Sequence, residues 1–164
     1  GVWSGYTGGP VSEADVPKTA LPIDKLRDLM LRITEHPEKF HPHPKVERLL
    51  QQRKAMANGE EPLDWGGAET LAMATVLADG RPLRMTGQDV RRGTFSHRHA
   101  ALHDSKDGRI WIGLQDLAEK PELVELYNSP LSEIGVLGFE YGYSLARPQG
   151  LTLWEAQFVQ NYAR

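Results

Sequence analysis

Helical periodicity alternates with short apolar stretches through most of this 164-residue chain, and this alternation constrains the fold more than any other feature. Apolar residues recur at helical spacing in residues 24–35, 46–56, 64–77 and 131–145, with Asp64 as a candidate N-cap. Short strands are predicted at residues 82–86, 109–112, 122–127 and 150–154. Strands separated by helices favour an α/β layer with a parallel sheet.

The sequence divides into three predicted regions. Residues 1–22 are rich in Gly and Pro, which predicts an irregular arm. Trp3 and Tyr6 in this arm are expected to dock either on the domain itself or on a partner outside this chain. Residues 23–60 are predicted to form a helical connecting segment. Residues 61–164 are predicted to form the α/β domain.

Composition excludes several classes of function. The chain has no Cys, which excludes a disulfide framework, a thiolate zinc site and a cysteine nucleophile. Its net charge of −3 predicts no nucleic-acid partner. The longest apolar run, residues 71–78, is too short to cross a bilayer, so we expect no membrane association. No basic segment followed by an apolar one opens the chain, so no secretory signal is expected.

The ends of three predicted strands are the expected location of a ligand site. Ligands of parallel α/β sheets bind at the carboxyl ends of the strands. Residues 87–89, 128–133 and 155–158 follow predicted strands and would meet at that edge.

Glu133 is the most informative residue of these segments. It lies in the first turn of the predicted helix 131–145, which Ser129 or Ser132 could cap. A carboxylate there is favoured by the helix dipole. By spacing alone, a capping interaction with the first-turn amides is favoured over a catalytic role.

A cluster of three histidines, His97, His99 and His103, allows two interpretations. His99 and His103 would share one face if this segment were helical, which is a spacing seen in metal sites. No Glu lies between them and Arg98 would repel a cation, so a polar surface or interface cluster is favoured over a metal site. The neighbouring Arg91-Arg92 pair is either an oxyanion-binding site or a solvated basic loop.

Five sequence blocks together resemble one enzyme family. In order, they are Asp64-Trp65 with its Ala-rich helix, GQDVRRGTFSHRH at 87–99, YNSPLSE at 127–133, GFEYGY at 138–143 and LWEAQF at 153–158. These blocks resemble the 2-oxoglutarate dehydrogenase decarboxylase component, a thiamine-diphosphate-dependent enzyme of the transketolase-like family. The helices of residues 23–60 resemble the segment that precedes its pyrimidine-binding domain.

The resemblance implies a fold, a cofactor and a set of site residues. It implies a helical N-terminal segment followed by a partial transketolase-like pyrimidine-binding domain. Glu133 matches the catalytic glutamate that hydrogen-bonds a ring nitrogen of thiamine diphosphate and so helps to generate the nucleophilic ylide. Gln88, Leu131 and Phe158 match positions that contact the cofactor, with Phe158 the expected stacking ring.

The resemblance also implies partners and a location. These are a 2-oxo-acid substrate, the second subunit of a homodimer and the dihydrolipoyl acyltransferase of the complex. The expected location is the cytoplasm if the protein is bacterial, which is favoured, and the mitochondrial matrix if it is eukaryotic.

Two departures from the family pattern limit the expected activity. The similarity stops at Phe158, and the Gly-Asp-Gly…Asn residues that hold Mg²⁺ against the diphosphate do not occur in this sequence. We therefore expect Mg²⁺ to be held by a domain outside this chain, and the isolated chain to be inactive. The alternative function is a catalytically inert, truncated module that acts by binding a subunit. A histidine-cluster metal protein is the third alternative.

Overall fold

The computed structural model describes residues 1–10, 12 and 16–157. In chain order the elements are α1 (Ile23–Thr34), α2 (Pro44–Ala57), α3 (Trp65–Ala78), β1 (Leu83–Gly87), β2 (Leu102–His103), β3 (Ile110–Trp111), β4 (Val124–Asn128), α4 (Glu133–Ala146) and β5 (Leu151–Glu155). Two short 3₁₀ turns, Gly113–Asp116 and Pro121–Leu123, precede β4. No helix among these residues is long and apolar enough to cross a membrane.

Local signals explain where the helices begin and end. The Asp64 carboxylate accepts a hydrogen bond from the Gly67 N–H at 2.6 Å, which caps α3 as predicted. The His43 ring accepts from the Lys45 N–H at 3.2 Å and caps α2. Gly59 follows α2 with φ +75°, a backbone conformation that favours glycine.

The main sheet has three parallel strands in the order β4-β1-β5. This sheet and the helices around it confirm the predicted α/β class with a helical N-terminal segment. The strand predicted at residues 109–112 is present in shorter form. Its observed core, β3, pairs antiparallel with β2 in a separate two-stranded sheet, because the chain turns back at Asp107-Gly108.

Helices cover both faces of the main sheet. Leu83 and Met85 of β1 lie in the principal core with residues of α1 and α3 such as Met30 and Leu77. The alternate residues of β1 face α4, since Arg84 hydrogen-bonds a side chain of that helix. The sheet is therefore held between α1 and α3 on one side and α4 on the other.

The N-terminal arm docks on the domain itself, which is one of the two alternatives predicted for its aromatic residues. The indole N–H of Trp3 donates to the Leu145 carbonyl at 2.8 Å, and the Tyr6 hydroxyl donates to the Pro148 carbonyl at 3.3 Å. The two rings pack edge to face with centroids 5.4 Å apart. These contacts provide hydrogen-bond donors for carbonyls at and just beyond the C-terminal end of α4.

Candidate functional site

The carboxyl ends of all three parallel strands meet at one edge. Gly87, the last residue of β1, is in register with Asn128 of β4 and Glu155 of β5. Gly87 has φ +151°, and a Cβ there would lie 2.5 Å from the Glu155 carbonyl oxygen. A side chain at this position would therefore disturb the edge. The predicted segments after β1, β4 and β5 are brought together here, the last of them being described only to Gln157.

Glu133 is buried at this edge, as the first residue of α4. Glu133 is only 8% exposed. Neither of its carboxylate oxygens has a hydrogen-bond partner among the described residues. The cap of α4 is instead Ser132, whose hydroxyl accepts from the Gly135 N–H at 3.4 Å. The capping interpretation of Glu133 therefore has no support in the geometry. Its carboxylate therefore has hydrogen-bonding capacity that no described residue fills.

Further polar groups without partners lie on the same side of the sheet. Thr86 and Trp154 are in register on β1 and β5, and they share the sheet face of Arg84, which α4 covers. The Thr86 hydroxyl and the Trp154 indole N–H are buried and have no hydrogen-bond partner among the described residues. Buried polar groups without partners are uncommon in proteins and often mark ligand sites. The sequence predicted no site role for either residue, although Trp154 lies in the LWEAQF block.

A buried ion pair fixes α4 on the sheet two turns beyond Glu133. Arg84 donates to both carboxylate oxygens of Glu140, at 2.8 and 2.9 Å, and to Glu125 at 2.5 Å. The rings of Tyr127 and Tyr143 lie 4.9 and 4.4 Å from its guanidinium. Hydrogen bonding to Glu140 raises the pKa of Arg84 above its usual range, although burial opposes this, and Glu125 adds to it. The N-terminus of α4, which carries Glu133, is thereby held in place.

A cavity of about 300 Å³ lies beside this ion pair, between β4 and α4. Leu131 and Tyr127 line it together with Phe139 of α4. Gln88 is exposed directly after β1, at the same edge of the sheet. Phe158 lies outside the described residues, so its predicted stacking role stays a prediction.

The histidine cluster differs from the helical arrangement considered above. Residues 97–101 form no helix, and His103 is the last residue of β2. His99 and His103 therefore do not share a helix face. His97 instead approaches Glu69 and Glu155, and one ligand atom from each of the three lies within 4.8 Å of the others.

Arg98 neutralises this acidic cluster. It is fully buried and donates to Glu69 at 2.7 and 2.8 Å and to Glu155. Its guanidinium also donates to the Val90 carbonyl at 2.8 Å. Arg98 and the two carboxylates therefore form an ion-pair network.

Comparisons with known proteins agree with this architecture. Residues 61–163 match the family described as transketolase, pyrimidine binding domain. The chain is 47% identical over 148 residues to the 2-oxoglutarate dehydrogenase E1 component of Cupriavidus necator. The matched region covers 88% of this chain and 16% of that protein. It is 46% identical over 160 residues to the protein of the same name from Rickettsia conorii, covering 96% and 17%. The chain spans about a sixth of the length of these relatives.

Proposed function

The chain belongs to the transketolase pyrimidine-binding-domain family, and we propose that it serves as part of a thiamine-diphosphate-dependent 2-oxoglutarate dehydrogenase. In this role it contributes the pyrimidine-binding half of the active site for the oxidative decarboxylation of 2-oxoglutarate in the tricarboxylic acid cycle. The names of the relatives from Cupriavidus necator and Rickettsia conorii support the activity and the substrate. The geometry of the site supports the assignment of the pyrimidine-binding half to this chain.

The observation that carries the proposal is the buried carboxylate of Glu133, which has no hydrogen-bond partner among residues 1–10, 12 and 16–157. A buried carboxylate without a partner is costly, so its retention is best explained by a ligand that hydrogen-bonds to it. A ring nitrogen of the cofactor's aminopyrimidine fits that requirement. Thiamine diphosphate, when bound, supplies the nucleophilic carbon and the electron sink for loss of carbon dioxide.

Glu133 acts in this proposal by sharing a proton with the ring nitrogen. Its Oε atom would accept or hold that proton, while the Arg84–Glu140 pair keeps α4 fixed. Burial excludes water from the carboxylate, which strengthens the hydrogen bond it makes. Leu131 and Gln88 would contact the cofactor from the loops after β4 and β1, and Phe158 would stack on its ring. Mg²⁺ would be held by residues outside this sequence.

The exposed face of α4 supports a homodimer. Four large apolar residues follow helical spacing along this face and are exposed: Ile134 (67%), Leu137 (44%), Tyr141 (66%) and Leu145 (44%). A Cβ added at Gly138 or Gly142 would meet nothing within 4 Å, so another chain could approach the helix closely. A second subunit is the proposed occupant of this face.

Further partners and the location rest on the relatives. The dihydrolipoyl acyltransferase of the complex is the proposed recipient of the product. Because both relatives described above are bacterial, the proposed location is the bacterial cytoplasm.

A second candidate function is the inert binding module. The same apolar face of α4 favours it, since that face could associate with a subunit without any chemistry. Replacing the corresponding segment of the Cupriavidus necator relative with this chain separates the two functions. Thiamine-diphosphate-dependent oxidation of 2-oxoglutarate by the chimera supports the enzymatic function. A folded, dimeric chimera that binds no cofactor and has no activity supports the inert module.

A further inference from the structure

A second cavity, of about 450 Å³, has four Arg and His side chains among its lining residues. It lies between α2 and the loop that joins β1 to β2, beside the end of β4. Its basic lining residues are Arg91, Arg92, His99 and His103, and Asp89 is the acidic one. The cavity is distinct from the one beside Leu131, although Asn128 contributes to the walls of both.

Arg91 contributes a positive charge that has no acidic partner in the described part of the chain. Its Nε donates to the Leu126 carbonyl at 2.9 Å, and its backbone N–H donates to Asn128 Oδ1 at 3.1 Å. These bonds orient the half-buried guanidinium on the cavity wall. The adjacent Arg92 differs, because it forms an ion pair with Asp89. A partly desolvated arginine without a counter-ion favours an anion beside it.

A second, buried cation lies behind His99: burial lowers the pKa of Arg53, although the charges of Asp64 and Glu69 oppose this effect. Arg53 is only 3% exposed, and its Nη2 donates to the carbonyls of His97 and Arg98 at 3.0 and 2.8 Å. Within the described ranges no carboxylate lies within 4.0 Å of its nitrogens. Burial, together with the charges of Arg53 and Arg92, lowers the pKa of His99; Asp89 opposes this effect and His97 adds to it. The surroundings of His99 are therefore electropositive.

The loop that forms the cavity is held in an unfavourable conformation. Asp89, Ser96 and His99 have φ values of +58°, +55° and +44°, in the left-handed region that residues other than glycine rarely adopt. The Arg92 carbonyl maintains the turn at His99 by accepting from the His99 N–H at 2.9 Å. Such strain costs on the order of 1–3 kcal/mol per residue and concentrates at ligand sites.

We infer that this cavity binds a small oxyanion through Arg91, with His99 and His103 as flanking hydrogen-bond donors. The ligand class is a carboxylate or phosphate group, whose paired oxygens match the fork of a guanidinium. The inference is independent of Glu133. It assigns a function to Arg91 and to two histidines that the proposed catalytic role does not use.

Titration of the chain with inorganic phosphate and with succinate, at constant ionic strength, tests the inference. Calorimetry and ¹³C- or ¹⁵N-histidine NMR should detect saturable binding of at least one of the two anions, with a Kd on the order of 1 mM or below. The preferred anion identifies the ligand class. Bound anion should also raise the pKa of His99, because it favours the protonated ring.

Matched variants distinguish a site from general attraction. Arg91→Gln should weaken binding about tenfold or more, since it removes charge-assisted hydrogen bonds. Arg48→Gln removes the same charge from an exposed position of α2 and should leave binding unchanged. Arg91→Lys keeps the charge without the fork and should bind with intermediate affinity, which guards against a folding defect in Arg91→Gln. Equal weakening by Arg91→Gln and Arg48→Gln, or no saturable binding of either anion, would overturn the inference.

Discussion

Replacing Glu133 with glutamine should make the isolated chain more stable. The Glu133 side chain is buried, and both carboxylate oxygens lack partners among the described residues. Glutamine keeps the shape but removes the charge. Because an unsatisfied buried charge costs more than an unsatisfied neutral amide, we expect the free energy of unfolding to rise by about 1–2 kcal/mol. Urea denaturation at pH 7 measures this change as a shift in midpoint with the slope unchanged.

Glu140→Gln is the matched control, because it makes the same substitution on the same helix. Glu140 is also buried, but both its oxygens accept hydrogen bonds from Arg84. Breaking this pair leaves Arg84 with less compensation, and we expect a loss of about 3 kcal/mol. The two substitutions should therefore have opposite signs. A loss of stability in Glu133→Gln comparable to that in Glu140→Gln would refute the reasoning, since Glu133 would then be a structural group.

Three further predictions concern other parts of the molecule. Arg98→Met should lower the free energy of unfolding by about 3–5 kcal/mol, because it leaves Glu69 and Glu155 without their buried cation. Arg92→Met, which breaks an exposed ion pair, should lower it by less than about 1 kcal/mol in the same urea assay. Burial alone would raise the pKa of Asp104, but hydrogen bonds from the backbone N–H groups of Lys106 and His41 and from the His41 ring hold it well below its usual range. Its carboxylate therefore stabilises the fold above the unfolded-state pKa of about 4, and this stabilisation is lost as the pH falls; thermal melts between about pH 5 and 2 should show a shallower acid limb for Asp104→Asn than for the wild type. Calorimetric titration of the isolated chain with thiamine diphosphate and Mg²⁺ should show no tight stoichiometric binding, because the sequence lacks the Gly-Asp-Gly…Asn ligands for the metal; a stoichiometric, saturable heat would contradict this expectation.

The elements with local sequence signals were the ones that could be predicted. Asp64 caps α3, and Gly59 follows the end of α2, because capping and positive φ are properties of a few neighbouring residues. The meeting of three strand ends also followed from the sequence, since parallel strands share the direction of their carboxyl ends. Glu133 could thus be placed at the site before its burial was observed.

Contacts between distant residues could not be predicted in this way. Arg98 lies in a polar, basic stretch, and nothing near it in sequence predicts that it is fully buried. Its partners Glu69 and Glu155 are 29 and 57 residues away. The antiparallel pairing of β2 with β3 was missed for a similar reason, because β2 is only two residues long and has no periodicity of its own.

The rate of 2-oxoglutarate oxidation by the chimera with the Cupriavidus necator relative tests the central claim most directly. The claim is that the Glu133 carboxylate serves the cofactor. We expect Glu133→Gln to lower kcat about 100-fold or more, in the range of proton-transfer contributions. Glu119→Gln, at an exposed position before β4, should leave kcat unchanged. A Glu133→Gln chimera with the kcat of the Glu119→Gln chimera would contradict the assignment of Glu133 to the active site.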